Sequence, residues 1–317
     1  MGKGISYQLM SLKYRMRMLI PRNLYAQITY HQRKKKFLNL KEPKTFADKL
    51  WWLKYHYYNP LMTPCSDKWE VRKYVEKCGL KDILVDCYGH YDSVDDINLD
   101  DIPTEEFFLK VNNTSGGNLI CHKSTFNKEA IRPRFEKLLK DNFYWHGREY
   151  NYKYIKPCII AEKLLKTDDP IGLIDYKFFC FSGEPKLLFI DTGVCNEDGT
   201  HAEHSTWFMY DLDFKPLDMY LNKKHEPLDL KKPENYEVMI EYARRLAAPF
   251  PHCRIDFYNI DGKIYFGEIT FYHCSGYTVI EPHEDDLKVG SWIPMDNSYP
   301  NKYHQEEVEE VTRSLTV

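Results

Sequence analysis

Hydrophobic positions recur with a helical period twice near the start of the chain, and with a strand period through most of its second half. From 45 to 58, Phe46, Leu50, Leu53 and Tyr57 fall on one helical stripe. A second helix is expected over 67–78, with Ser66 or Asp67 capping its start and Gly79 closing its end. Ile83-Leu84-Val85 reads as a strand, and the acidic connector from Asp92 to Pro103 leads into another, Phe107-Phe108-Leu109-Lys110-Val111. A domain boundary is therefore placed near 100. The segment 127–140 reads as a helix interrupted near Pro133, followed by the strand Cys158-Ile159-Ile160-Ala161. Alternation governs 171–212 and predicts three strands around Gly183 and a polar loop at 193–203. A helix from Pro233 to about Ala248 precedes two last strands. Elements in this mixed order predict an α+β or mixed α/β arrangement of lobes in preference to a doubly wound parallel sheet. No internal repeat or low-complexity segment is evident.

The two last strands carry the chemistry. Arg254-Ile255-Asp256-Phe257-Tyr258 and Gly262-Lys263-Ile264-Tyr265-Phe266-Gly267-Glu268-Ile269-Thr270 flank Asn259-Ile260-Asp261-Gly262, which reads as a tight hairpin turn needing φ > 0 near its glycine. With period 2, Arg254 and Asp256 share one face and Glu268 and Thr270 share one face. The hairpin is thus expected to present a cation, two carboxylates and a hydroxyl on one surface. Carboxylate oxygens suit Mg²⁺, which takes one or two protein carboxylates and completes its octahedron with phosphates and water. A guanidinium beside it would hold a phosphoryl group. Spacing alone admits a second reading equally well, a solvated hairpin with cross-strand salt bridges.

Composition narrows the class. The chain has 317 residues, 43% hydrophobic and 29% charged, which is enough to build two or three lobes with cores of their own. No apolar run approaches the roughly 18 residues needed to span a bilayer, and the start lacks a cleavable signal pattern, so a cytoplasmic protein is expected. Nine cysteines, scattered and without Cys-x-x-Cys, argue against a disulfide framework and a structural zinc site. Cys274 beside the hairpin is read as a structural thiol, since no base is placed for it as a nucleophile. The net charge of −3 is unevenly spread: residues 1–45 hold Lys3, Lys13, Arg15, Arg17, Arg22, Arg33, Lys34, Lys35, Lys36, Lys41 and Lys44 against one acid, Glu42. Leu9, Met10, Leu12, Met16, Met18, Leu19 and Ile20 interleave with these charges. Such an arm fits an anionic membrane face or anionic polymer, or else docks on the acidic remainder of the chain; no reader motif for nucleic acid accompanies it.

Arg-x-Asp on one strand, Glu-x-Thr on the next and a Ser275-Gly276 turn resemble the metal hairpin of ATP-grasp enzymes such as D-alanine:D-alanine ligase. More closely, the chain resembles the TupA-like ATP-grasp family of polysaccharide gene clusters. Its markers are Pro43-Lys44-Thr45-Phe46 with Lys49-Leu50-Trp51, Asp67-Lys68 with Val71-Arg72-Lys73-Tyr74-Val75, Lys110 with Asn112 and Ser115-Gly116-Gly117-Asn118, Asp175-Tyr176-Lys177, and Phe266 to Phe271. The resemblance implies an ATP-grasp fold that holds a nucleotide between two mixed α/β lobes beside an N-terminal lobe. It divides the chain into a basic arm (1–45), an N-terminal lobe (46–100), a lid lobe (101–165) and a C-terminal lobe (166–317). It further implies ATP and Mg²⁺ as cofactors. Mg²⁺ falls to Asp256, Glu268 and Thr270. Nucleotide binding falls to Lys110, Asn112, the glycine-bearing loop Ser115, Gly116, Gly117 and Asn118, the hinge Glu162, Lys163, Leu164 and Leu165, and Lys177. Catalysis falls to Arg254, Lys177, Ser275 and Gly276. Two positions depart from the family: Asn113-Thr114 stands where His-Gly is usual, and Asp191-Thr192 where an arginine is common. The activity implied is carboxylate–amine ligation through an acyl phosphate, with an acidic sugar or glycan as acceptor and an amino acid or amine as donor. Three alternatives stay open: an ATP-grasp kinase, a glycosyltransferase using Asp211-Leu212-Asp213 for a nucleotide-sugar's metal, and a non-catalytic polysaccharide- or membrane-binding module.

Overall fold

The computed structural model describes residues 16–114, 116–193, 196, 198–200, 205–225, 228–296, 298–299 and 302–316. Among these, nine α-helices and two principal antiparallel sheets make an α+β molecule. The helices are α1 (Arg22–Lys34), α2 (Phe46–His56), α3 (Met62–Ser66), α4 (Val71–Lys77), α5 (Lys128–Leu139), α6 (Tyr144–Gly147), α7 (Tyr236–Ala247), α8 (His283–Ser291) and α9 (Gln305–Ser314). Four strands, β1 (Cys87–Tyr91), β2 (Glu106–Val111), β3 (Leu119–His122) and β4 (Ile159–Lys163), form the first sheet in the order β1-β4-β2-β3. Five more, β5 (Ile174–Phe181), β6 (Glu184–Thr192), β7 (Thr206–Tyr210), β9 (His252–Ile260) and β10 (Lys263–Thr270), form the second in the order β10-β9-β5-β6-β7. The short strands β8 (Tyr220–Leu221) and β11 (Ile280–Glu281) pair separately.

The five-stranded sheet is two-faced. Phe178, Cys180, Leu188, Ile190, Ile255 and Phe257 are fully buried on one side. There α7 packs its stripe of Tyr236, Met239, Ala243 and Leu246, spaced at helical intervals, against β5, β6 and β9. Burial of such side chains stabilises the fold by roughly 1.5–3 kcal/mol each relative to exposure. The opposite side, where Lys177, Arg254 and Asp256 alternate with those residues, is polar. Helices α2 to α4 add Phe46, Leu50, Leu53, Met62 and Val75 to the same core. The four-stranded sheet keeps a separate core of Phe107, Leu109, Val111, Phe135, Ile159 and Ala161. At the start of the chain, α1 packs Tyr25, Ala26 and Tyr30 against Trp51, Tyr55 and Tyr277. The described part of the basic arm, 16–45, is therefore docked on the body through α1; its residues 1–15 lie outside the described region.

Three local expectations need correction. Ile83-Leu84-Val85 is not a strand: Lys81–Ile83 is a single 3-10 turn, and the strand begins four residues later at Cys87. A short apolar run cannot be assigned by periodicity alone, and here Ile83 is buried in the core while Leu84 packs half-buried against it. Since β1 pairs with β4, residues 87–91 belong to the lid sheet, ahead of the boundary placed near 100. Pro133 does not interrupt its helix, because α5 runs through it from a well-capped start where Asn127 accepts from Glu129 and Ala130.

Candidate active site

The geometry of the hairpin decides which side chains meet. Asp261 and Gly262, both at positive φ (51° and 78°), form a two-residue turn, so Ile260 pairs with Lys263 and Phe257 with Phe266. Asn259 and Ile260, placed in the turn by sequence, extend the strand instead. Continued without a break, that register would set Gly267 opposite Asp256 and turn Glu268 and Thr270 toward the core. A β-bulge intervenes between Phe266 and Ile269, after which Ile269 pairs with Ile255 and Thr270 with Arg254. Glu268 is thereby returned to the polar face. The bulge falls at a glycine because a Cβ on Gly267 would stand 3.0 Å from the Asp256 carbonyl oxygen and 3.3 Å from its Cβ.

On that face Arg254 is the hub. Its Nε and Nη2 grip Asp256 at 2.7 and 2.6 Å, a bidentate pair. Nη2 also donates to Glu268 Oε1 at 2.9 Å and Thr270 Oγ at 3.0 Å, while Nη1 lies 2.5 Å from His273 Nδ1. Burial and the Arg254 charge hold His273 well below the usual imidazole range, so it is neutral and its Nδ1 accepts. Burial works against the Arg254 charge, yet Asp256 and then Glu268 raise its pKa above the ordinary value. Thr270 Oγ donates in turn to Glu268 Oε1 at 2.7 Å. One strand over, Lys177 pairs in register with Asp256 and bonds to Asp175 at 2.7 Å, with Asp256 at 3.7 Å and Asp191 at 3.8 Å. Burial alone would lower the Lys177 pKa, but these acids raise it. Asp256 is pushed upward by burial and pulled back by Arg254 and Lys177, whereas Glu268 ends below its ordinary value: burial is overcome by Arg254 and Lys68. Glu268 keeps 47% of its side chain accessible.

The lid sheet brings fewer charges. Lys110 on β2 pairs with Glu162 on β4 at 2.5 Å, so these two nucleotide candidates meet. Asn112 does not point to an open ligand site: its amide donates to Lys156 O (2.9 Å) and accepts from Cys158 N (2.8 Å), which clips the strand end in place. Gly116 and Gly117 both have φ near 80°, and a Cβ on Gly117 would meet Leu138 of α5 at 2.7 Å. The carbonyl of Asn118 is held by Arg134 at 2.7 Å. Ser115 lies outside the described residues. Lys163 is exposed and only 3.7 Å from Asp86; Leu164 and Leu165 are half-buried beyond the strand. Ser275 and Gly276 sit in a left-handed stretch (φ 54° and 79°), where the Ser275 hydroxyl donates to buried Glu149 at 2.5 Å and Trp51 Nε1 donates to Gly276 O at 2.9 Å. Asp211-Leu212-Asp213 is a turn, with Asp211 accepting from Lys215 N at 2.8 Å and Asp213 pairing with Lys215.

A family described as TupA-like ATPgrasp matches residues 48–294, most of the chain and every one of these candidates. The chain belongs to that family. No curated protein sequence matches it. Similar solved structures include a D-alanine–D-alanine ligase from Bacillus anthracis (13% identity, 79% of this chain and 67% of that one, TM-score 0.41). An L-amino acid ligase from Bacillus licheniformis shows 14% identity over 65% of this chain and 42% of that one, TM-score 0.41. A D-alanine–D-alanine ligase from Helicobacter pylori shows 14% identity over 73% and 59%, TM-score 0.40. Likenesses this distant carry nothing about the substrates of the TupA-like chain.

Among the described residues, no group of three or more His, Cys, Asp and Glu side chains gathers to hold a metal by itself. The face offers Asp256 and Glu268, the number of protein carboxylates Mg²⁺ takes when nucleotide phosphates supply the rest. The donor set fits. Thr270 is already engaged, since its hydroxyl donates to Glu268 and accepts from Arg254, so it orients a carboxylate and keeps one lone pair. Three participants escaped the sequence reading: Lys68, His273 and Glu149. Lys68 donates to Thr114 O, and the Glu268 charge opposes the drop in pKa that burial imposes on it, which ties α4's approach to both sheets. The Asp67-Lys68 pair was visible as a family marker; nothing local signalled His273 or Glu149.

Proposed function

We propose that the chain is an ATP- and Mg²⁺-dependent carboxylate–amine ligase that joins an amino acid or other amine to an acidic sugar in the synthesis of a capsule or other surface polysaccharide. The observation that carries the reading is Arg254, which binds two carboxylates, a hydroxyl and a neutral imidazole at once on the face shared with Lys177. A carboxylate oxygen of the acceptor attacks the γ-phosphorus of ATP, and the bond to ADP breaks. The amine nitrogen then attacks the acyl carbonyl; the C–O bond to phosphate breaks, free phosphate leaves and the nitrogen loses a proton. Neither step asks for a protein nucleophile, and positioning with charge neutralisation suffices for both. Lys110 and Lys177 hold phosphate oxygens. Arg254 stabilises the transferred group and the later tetrahedral oxyanion, and His273, fixed neutral, keeps the guanidinium plane oriented. Asp256 and Glu268 would hold Mg²⁺, which would supply positive charge against that growing on the phosphates.

Among the described residues no helix is long and apolar enough to cross a membrane. Peripheral contact with an anionic surface is part of the proposal, because α1 turns Leu24 and Ile28 outward, 52% and 40% exposed, beside Arg33, Lys34 and Lys35.

Hydroxylamine decides between ligase and kinase. With ATP, Mg²⁺ and a uronic acid, the ligase releases free phosphate and yields a hydroxamate, because the small amine captures the acyl phosphate. A stable phosphorylated sugar with no free phosphate overturns the ligase in favour of a kinase acting at the same nucleotide site.

A further inference from the structure

A cavity of about 360 Å³ is lined by none of the residues of the charged face. That size falls within the roughly 300–1,000 Å³ of small-molecule sites. Arg22, Lys54, Arg148, Lys153 and Lys302 line it, drawn from four separate segments, and no Asp or Glu does. None of the five makes an ion pair among the described residues. Arg22 donates to Tyr55 O, Lys54 to Gly147 O and Ser275 O, and Lys153 to the Tyr150 and Tyr154 hydroxyls. Arg148 donates to the carbonyls of Ile20 and Arg17, but its Nε is buried without any partner, in a residue only 6% exposed. An unpartnered buried guanidinium nitrogen costs free energy unless a ligand completes it. The acid nearest Lys54, Glu149, is engaged by Ser275. Burial and this weak compensation bring the Lys54 pKa down to about 8.

The remaining wall is aromatic. Tyr58, Tyr144 and Tyr150 line the cavity, and Tyr150 is fixed by donating to Tyr303 O at 3.0 Å. Spaced cations between tyrosine faces suit a ligand with separated negative charges and rings with one apolar face. A compact phosphate would need its donors converged on one point. The cavity also touches the reaction centre through a short relay: Lys54 holds Ser275 O at 2.7 Å, and His273, two residues before, meets Arg254.

We propose that this cavity binds the acidic saccharide, with its carboxylates on Arg148, Arg22 and Lys153 and its sugar rings against the tyrosines. The assignment of that saccharide as acceptor rests on the ligase reading; the binding itself does not. The test is calorimetric titration of the full chain, without ATP, using a galacturonic acid trimer, a neutral glucose trimer of β-1,4 linkage and a glutamate trimer. The galacturonate is expected to bind, the neutral sugar at least tenfold more weakly, and Arg22→Met and Lys153→Met each to weaken galacturonate about tenfold. Arg148→Met should weaken it further, but Arg148 also anchors residues 17–20, so Lys153→Met, which removes contacts to the hydroxyls and rings of Tyr150 and Tyr154, decides if that variant fails to fold. Equal binding of the neutral trimer, unchanged affinity in Lys153→Met and Arg22→Met, or tighter binding of the glutamate trimer would each overturn the proposal. Hydroxamate formation with unchanged KM in these variants leaves the ligase standing and removes the pocket. Galacturonate binding that the variants weaken, with no hydroxamate, does the reverse.

Discussion

In the five-stranded sheet Arg254 bonds side chain to side chain, reaching Asp256, Glu268, Thr270 and His273. In the four-stranded sheet, by contrast, the buried amides of Asn112 and Asn113 bond to backbone carbonyls, and Lys68 reaches across to the carbonyl of Thr114. The cores differ in the same sense. The charged face rests on one large cluster that includes α2 to α4 and α7, while the lid sheet has its own small one. A charge array oriented before substrate arrives needs no reorganisation during the reaction. A lid needs correctly shaped loops and freedom to move as a unit. The TupA-like chain therefore gathers its linked charge array on the five-stranded sheet, while the four-stranded sheet carries the pair of Lys110 with Glu162 and the contacts that place its loops.

Removing the hub should give the largest effect. Arg254→Met leaves Asp256 buried without its bidentate partner, and loss of about 3–5 kcal/mol in urea unfolding is expected. Asn113→Ala in the lid removes one bond to Asp141 O and should cost only about 1–3 kcal/mol. Equal losses would break the contrast between the sheets.

Acid should act through the five-stranded sheet. Burial lowers the His252 pKa to about 3, and burial with Arg254 lowers that of His273 well below its ordinary value. For a histidine depressed in the folded state, the unfolded chain binds the extra proton, so stability is present above the unfolded pKa near 6.5 and falls as pH drops below it. Between pH 7 and 5.5 each group should remove roughly 1 kcal/mol, read from the urea midpoint. His252→Asn should abolish its share; an unchanged slope would show that this histidine titrates normally.

The smallest effect belongs to the lid's rim. Lys163 and Asp86 are 3.7 Å apart and largely exposed, so Lys163→Ala should change stability by less than about 0.5 kcal/mol. Its ATP affinity, measured by nucleotide protection against heat, then reports the hinge contact alone.

Much of the fold was readable because local patterns agreed with tertiary need. The amphipathic α7 follows a buried face that residue order encodes, whereas α2 and β5, though found where their patterns placed them, are buried on nearly every side. At the site, Arg254 and Asp256 share a face because they are two residues apart on one strand, which no packing can alter. Lys68, His273 and Glu149 were missed for the opposite reason: each reaches its partner across the fold, 200 residues from Glu268 in the case of Lys68, and no local period records such a meeting.

The sequence by itself determined which strands could carry the charges and put a turn needing positive φ near Gly262, which the structure narrows to Asp261 and Gly262. That same turn, followed with strict alternation, would have buried Glu268 and Thr270. Only the tertiary structure decided otherwise. The bulge at Gly267 exists because Phe266 and Ile269 must both enter the core while Glu268 answers Arg254, and satisfying all three requires one extra residue on β10. Alternation is a property of a single strand; where it must break is a property of what the strand packs against.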